Sequence, residues 1–289
     1  MKILRAEHLG MCFGVRDAIA LTQQKAASGP VTVLGDLVHN ESVLADLRRR
    51  GVLIRQDTAD VSTRQVIITA HGASARRIAA VASQGFEVTE ATCPLVHRAH
   101  DALNSLVAQG FHPVVIGQRH HVEVRGLTED HPACDVVLTE TDVDQLTPQT
   151  RFGVVSQTTQ PVSRVRALVN HLRQRFPTAE VKWIDTVCRP TKERQTAAED
   201  LATQSSVVVV IGGVHSNNTR ELASTCLRFC PRVHRIQGPD ELKPEWFTAR
   251  DTVGVTAGTS TPDETIEAVH ATLVRIASRL NRPVLELVA

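Results

Sequence analysis

The sequence contains no tyrosine, and its seven phenylalanines and two tryptophans leave aromatics at 3% of 289 residues. Proteins that hold single-stranded nucleic acid by stacking bases need aromatic platforms, so that class is disfavoured from the outset. No apolar run approaches the roughly 18 residues that mark a membrane-spanning helix. Charge of either sign is not in excess: 32 Lys and Arg stand against 31 Asp and Glu, for a net +1. A basic face for nucleic acid or for an anionic membrane surface is therefore not expected. The opening residues, Met1-Lys2-Ile3-Leu4-Arg5-Ala6-Glu7, lack the apolar core of a signal peptide, and a cytoplasmic location is expected. In that compartment thiols stay reduced. The six cysteines then read as metal ligands, catalytic groups or core residues rather than as disulfides.

What the chain does have is a repeat. Cys12, Cys93 and Cys188 lie 81 and 95 residues apart, and each closes an extended stretch and opens a helical one. The next apolar run after each cysteine ends on a polar residue at a matching distance: His39 after 27 residues, His121 after 28 and Ser216 after 28. The following apolar run ends at His71, Thr158 and Ser260. Self-similarity at a fixed period is the mark of a repeated supersecondary unit. Three copies of one design each donate a thiol and two hydrogen-bonding groups.

The order along the chain fits that reading. Lys2–Ala6 alternates like a strand. Val31–Gly35, Val66–Ala70 and Phe86–Thr89 are short apolar strands. Between them, the spacings predict helices over Val15–Lys25, Glu41–Arg50 and Ala75–Ser83, stopped at Gly29-Pro30, Gly51 and Gly85. The second third repeats this with a helix over Leu95–Gln109, strands at Pro113–Gly117 and Phe152–Val155, an extra strand at Asp135–Leu138, a helix over Val162–Arg175 and a strand at Glu180–Ile184. The last third has helices over Thr191–Thr203, Arg220–Arg228 and Asp263–Leu280, strands at Val207–Ile211 and Thr252–Val255, and a terminal strand at Pro283–Leu287. Alternating strands and helices imply parallel α/β sheets. The expected fold is three small α/β lobes, a pseudo-threefold trefoil around a central cleft. The lobes are expected at 13–92, 93–184 and 185–270. Residues 1–12 and 271–289 are expected to meet and close the third.

The polar residues fall at the C-terminal ends of strands, where open α/β folds bind ligands and helix N-termini favour anions. Three thiolates without an obvious fourth suit a metal site with an open position, such as an iron–sulfur cluster. Zinc held by three cysteines and a histidine is an alternative, although structural zinc sites usually pair ligands two to four residues apart. Three buried thiols without function are the other. Cys134, Cys226 and Cys230 fall outside the register and read as core residues. Any one of His39, His71 and His121 alone would be structural, but three at matching phases read as a ligand set. With Ser216, Asn217, Asn218 and Ser260 they make a nearly uncharged group of donors suited to phosphate. Glu123 is the one carboxylate in the constellation and the natural proton donor.

These residues carry a resemblance. Cys12-Phe13-Gly14-Val15, Val38-His39-Asn40, Ala70-His71-Gly72, Ala91-Thr92-Cys93-Pro94, His121-Val122-Glu123-Val124-Arg125-Gly126, Gln157-Thr158-Thr159, Cys188-Arg189-Pro190-Thr191-Lys192-Glu193, Ser216-Asn217-Asn218-Thr219 and Ala257-Gly258-Thr259-Ser260-Thr261-Pro262 resemble, end to end and in order, the LytB/IspH family of 4-hydroxy-3-methylbut-2-enyl diphosphate reductases. The resemblance implies a three-lobed fold around a 4Fe–4S cluster held by Cys12, Cys93 and Cys188, with one iron left open for the substrate hydroxyl. It implies reductive removal of that hydroxyl to give isopentenyl and dimethylallyl diphosphate, the last step of the non-mevalonate isoprenoid pathway. It implies that His39, His71, His121, Ser216, Asn218 and Ser260 bind the diphosphate, with Asn217 a weaker candidate, that Thr158 contacts the hydroxyl and that Glu123 relays protons. Ferredoxin or flavodoxin is the implied electron donor. Val122 departs from the proline found in many members, and Asn217 from the serine of some. The alternatives are a related reductase of another allylic diphosphate and a cluster-bearing sensor or scaffold without turnover. A scaffold has no need of Glu123 or Thr158.

Overall fold

The structure is a computed structural model that describes residues 1–280. In chain order its first elements are β1 (Lys2–Arg5), α1 (Phe13–Ser28), β2 (Val31–Leu34), α2 (Glu41–Arg49), β3 (Leu53–Arg55), β4 (Gln65–Ile68), α3 (Ala75–Ser83) and β5 (Glu87–Glu90). Then follow α4 (Pro94–Ala108), β6 (His112–Ile116), α5 (Val122–Glu129), β7 (Asp135–Val137), α6 (Glu140–Asp144), β8 (Arg151–Ser156), α7 (Val162–Arg175) and β9 (Glu180–Trp183). The last are α8 (Arg189–Thr203), β10 (Val207–Ile211), α9 (Asn217–Leu227), β11 (Val233–Ile236), β12 (Thr252–Ala257) and α10 (Asp263–Leu280). The strand expected at Pro283–Leu287 lies outside the described residues.

All strands pair in parallel, in three four-stranded sheets ordered β3-β2-β4-β5, β7-β6-β8-β9 and β11-β10-β12-β1. The chain divides into two compact units. Residues 13–192 hold the first two sheets, and residues 1–12 with 193–289 hold the third. The division at its second point falls inside α8.

Each sheet is built the same way. Two central strands, β2 and β4, β6 and β8, or β10 and β12, are flanked by one edge strand on each side. The edge strand next to β4 is β5, next to β8 is β9, and next to β12 is β1. The N-terminal strand thus fills in the third sheet the place that β5 and β9 fill in the others. Each of these edge strands runs out into a repeat cysteine: Cys93 after β5, Cys188 after β9, Cys12 after β1.

Sheets covered by helices on both faces need apolar residues on both faces, which is why these strands read as unbroken apolar runs rather than alternating ones. Val207, Val209 and Ile211 of β10 pack into the core that includes Ile266, Val269 and Leu273 of α10, whereas Val208 and Val210 face Ala198 and Leu201 of α8 and Leu222 of α9. The second sheet does likewise, with Val114 and Ile116 in the core against α7 and Val115 in the core with Leu103 and Leu106 of α4. Full burial of each such side chain contributes about 1.5–3 kcal/mol.

The repeat reaches into the packing. Leu106 follows Cys93 by 13 residues, as Leu201 follows Cys188. Each presses on a glycine at the third position of a central strand. A Cβ on Gly153 of β8 would lie 2.8 Å from Leu106 Cβ, and one on Gly254 of β12 would lie 2.8 Å from Leu201 Cγ. The corresponding residue of β4 is Ile67, so this device is confined to the second and third sheets.

Helix ends follow local chemistry. Asn40 caps α2 by accepting from Ser42 and Val43 N–H at 3.1 and 3.3 Å. Pro94 opens α4 at a position where its missing N–H costs nothing. Besides the five-residue α6, three strands or helices are not expected from the sequence. β3 and β11 are three and four residues long, and α5 has eight, with Val122, Val124 and Gly126 weak in helix propensity. Packing rather than propensity makes α5 a helix, because Val124 and Leu127 are buried in the core beneath α4.

Candidate active site

In the unit of residues 13–192, the loops after the central strands bring three imidazoles together. His39 follows β2, His71 follows β4 and His121 follows β6. The rings of His39 and His71 stack with centroids 4.2 Å apart, and His121 meets them edge-on at 5.2 and 5.6 Å. Ring nitrogens of all three lie within 4.8 Å of one another. A metal ion or the oxygens of an anion could bridge such a spacing, and the tautomer separates the two. His121 is the N-cap of α5, and its Nδ1 accepts the Glu123 N–H at 3.1 Å. The neutral ring then carries its proton on Nε2, which leaves no lone pair for a metal but presents a donor to an anion. His71 is half-buried, yet its Nδ1 is shut away from water without a hydrogen-bond partner. Burial holds its pKa well below the usual histidine range, and His39 and His121 push it the same way. The trio is thus close, largely dry and receptive to negative charge.

The second residue of α5 is Glu123, 1% exposed. Both carboxyl oxygens meet one residue: Thr158 N–H donates to Oε1 at 2.6 Å and the Thr158 hydroxyl to Oε2 at 3.0 Å. Burial raises the pKa to about 7, while the two Thr158 hydrogen bonds oppose the rise. The group can therefore carry a proton at neutral pH and release it there. Thr158 reaches onward too, for its carbonyl accepts the Cys188 N–H at 3.0 Å.

That last bond belongs to the repeat. Cys93 N–H donates to Ala70 O at 3.1 Å, Cys188 N–H to Thr158 O at 3.0 Å and Cys12 N–H to Thr259 O at 3.0 Å. Every repeat cysteine is tied to the loop after the neighbouring central strand. All three are half-buried, as is Cys134, whereas Cys226 and Cys230 are buried in a core. The sulfur of Cys93 has been given room: a Cβ on Gly14 would sit 2.4 Å from it. Burial raises the Cys226 thiol to about 12, as suits an inert core residue.

The unit of residues 1–12 and 193–289 offers neutral donors at the same strand ends. Ser216, after β10, caps α9 by accepting the Thr219 N–H at 3.2 Å. Asn217 and Asn218 are buried in the first turn of that helix. Asn218 Oδ1 accepts the Thr259 N–H at 2.9 Å, and its Nδ2 is buried with no partner. A buried donor left so is costly unless a ligand takes it. Ser260 is buried in the loop after β12. The Asn217 Oδ1 accepts from Arg220 at 2.8 Å, which turns its oxygen toward its own helix.

Within the unit of residues 13–192 a cavity of about 440 Å³ is lined by Asp36, Asp57, Thr69, Arg77, Arg125 and Glu129 among others. It touches the histidine trio only at His39. Among the described residues no helix is long and apolar enough to cross a membrane.

Comparisons with known proteins fall in one place. A family model described as LytB protein matches residues 3–274. A 4-hydroxy-3-methylbut-2-enyl diphosphate reductase of Aquifex aeolicus is 35% identical over 280 residues, 95% of this chain and 96% of the relative. That of an Anaeromyxobacter species is 35% identical over 273 residues, 93% and 95% of the two chains. Among solved structures, a (E)-4-hydroxy-3-methyl-but-2-enyl diphosphate reductase, described as the terminal enzyme of the non-mevalonate pathway, is 34% identical with a TM-score of 0.69, over 95% of this chain and all of that one. The reductase of Plasmodium falciparum superposes with a TM-score of 0.88 over 94% of this chain and 88% of its own, and at 24% identity it speaks for the fold.

Proposed function

This chain belongs to the LytB family, and from that premise we propose that it reduces 4-hydroxy-3-methylbut-2-enyl diphosphate to isopentenyl and dimethylallyl diphosphate. Two electrons and two protons enter and the hydroxyl leaves as water. The observation that carries the reading is Glu123, a buried carboxyl gripped by Thr158 two residues after His121 of the histidine trio.

Cys12, Cys93 and Cys188 would hold a 4Fe–4S cluster, which supplies the electrons and Lewis acidity at the substrate hydroxyl. Their half-burial and the space kept open at Cys93 Sγ by Gly14 suit that group. A ferredoxin or flavodoxin is the proposed electron donor.

The diphosphate would lie on His39, His71 and His121, with Ser216, Asn218 and Ser260 as further donors. His121 offers Nε2–H because Glu123 N–H occupies Nδ1. An anion among the rings also relieves the burial that keeps His71 from holding charge. The Asn218 Nδ2 gains the partner it lacks.

The hydroxyl leaves only if a proton reaches its oxygen. The Thr158 hydroxyl donates to Glu123 Oε2; with a proton on Oε2 it would turn to accept from Glu123 and pass its own hydroxyl proton to the departing oxygen, since a hydroxyl accepts and donates at once. Burial of Glu123 keeps that proton available near pH 7. The test is turnover by anaerobically purified protein with a reduced viologen dye and the diphosphate substrate. Formation of the two isoprenoid diphosphates is expected. A protein that carries iron and binds the substrate but makes no product is a sensor rather than a reductase.

A further inference from the structure

Helix α5 carries Glu123 at one end, and its other end is tied to a different sheet. The N-cap of α3, Ser74, accepts the Arg77 N–H at 3.1 Å and donates its hydroxyl to Glu129 Oε2 at 2.8 Å. The two preceding N–H groups of α3, on Ala75 and Arg76, both donate to Asp130, at 2.7 Å to Oδ2 and 3.1 Å to Oδ1. Helix N-termini leave such donors unsatisfied and favour a negative charge. Here the charge comes from 55 residues away in sequence rather than from the local cap. The backbones are close as well: a Cβ on Gly126 of α5 would lie 3.3 Å from Ala73 Cα.

The joint sits between residues that must be in register. His71 precedes Ser74 by three residues on the β4–α3 loop. His121 and Glu123 stand at the start of the helix that Asp130 ends. Glu123 is fixed to its own sheet by Thr158, so α5 does not need Asp130 to present its acid. What Asp130 adds is the placing of the β4–α3 loop, and with it His71, against His121.

We propose that Asp130, assisted by Glu129, is a positioning residue for diphosphate binding: by capping α3 from the end of α5 it holds His71 in register with His121. This rests on the function proposed above for the histidine trio. A role of this kind lowers affinity for the anion while the chemistry at Glu123 continues.

The experiment compares wild-type holoenzyme with Asp130→Ala and Asp130→Asn, titrated with inorganic diphosphate by calorimetry and assayed for KM and kcat. Thr139→Ala, which breaks the capping box of α6 in the same unit, controls for loss of a helix cap as such. For Asp130→Ala, diphosphate affinity is expected to fall, and KM to rise, about tenfold, with kcat kept within about threefold. Asp130→Asn keeps an acceptor oxygen and should fall between it and wild type. Thr139→Ala should bind as wild type does. Asp130→Ala binding diphosphate as well as wild type, or no more weakly than Thr139→Ala, overturns the proposal. Should Asp130→Ala fail to fold, Asp130→Asn binding as wild type does so equally. Wild-type holoenzyme that does not bind diphosphate removes the premise, and the proposal falls with the reading of the trio.

Discussion

The two units build the same sheet and finish it with different chemistry. In residues 13–192 the ends of the central strands present His39, His71 and His121, with Glu123 at the start of α5, groups that can gain or lose protons, beside the neutral Thr158 after β8. In residues 1–12 and 193–289 the same places hold Ser216, Asn218 and Ser260, which cannot. The backbone ties are alike in both, down to the cysteine N–H that donates to the neighbouring loop. The scaffold thus decides where a side chain is presented, and the residue decides whether the group there can titrate.

The largest effect should come from the cysteines, where the units can be set against each other directly. Cys188→Ser is expected to lose iron and essentially all turnover on anaerobic purification, whereas Cys226→Ser should keep both, since Cys226 only fills the core between β10 and α8. Iron retained by Cys188→Ser and lost from Cys226→Ser would reverse the assignment.

Next comes the proton. A positioned general acid contributes roughly 10²–10⁴-fold, so Glu123→Gln should keep its iron, still bind substrate and turn over at least about 100-fold more slowly. In wild type, turnover should decline as pH rises above about 7, where the acid form of Glu123 is depleted. Stability carries the same mark. The folded chain keeps the proton up to about pH 7, while the unfolded chain gives it up near 4.5, the ordinary value for a glutamate. Stability should therefore fall as pH rises between those values, and urea unfolding of Glu123→Gln should show that interval flattened. A variant with near-normal rate would move the proton source elsewhere.

The smallest effect belongs to the neutral unit. Asn218→Ala removes one donor to a charged group, worth about 1.5–3 kcal/mol, and should raise KM at least about tenfold while the pH profile stays that of wild type. A shifted profile would break the division of labour between the units.

Much of this was legible in the chain. The nearly even spacing of Cys12, Cys93 and Cys188, and the matched arrivals at His39, His121 and Ser216, reported a repeat because each copy must span a similar strand–helix–strand distance. The apolar runs at Val66, Val114 and Val207 reported parallel strands because burial on both faces needs no alternation. Residue resemblance pointed to the reductase family from the same motifs. Less could be read of α5, whose β-branched residues and glycine argue against a helix when seen alone. Its buried face, packed under α4, outweighs that propensity.

By itself, then, the sequence determined the strand–helix alternation, the repeat and the kinds of groups at the strand ends, because these are set by local spacing and side-chain chemistry. Only the tertiary structure decided that β1 pairs with β12 from the far end of the chain, that Glu123 is dry enough to hold a proton at neutral pH, and that Asp130 caps a helix 55 residues away. Pairing partner, burial and long-range capping depend on which distant segments pack together, and no local pattern encodes that choice.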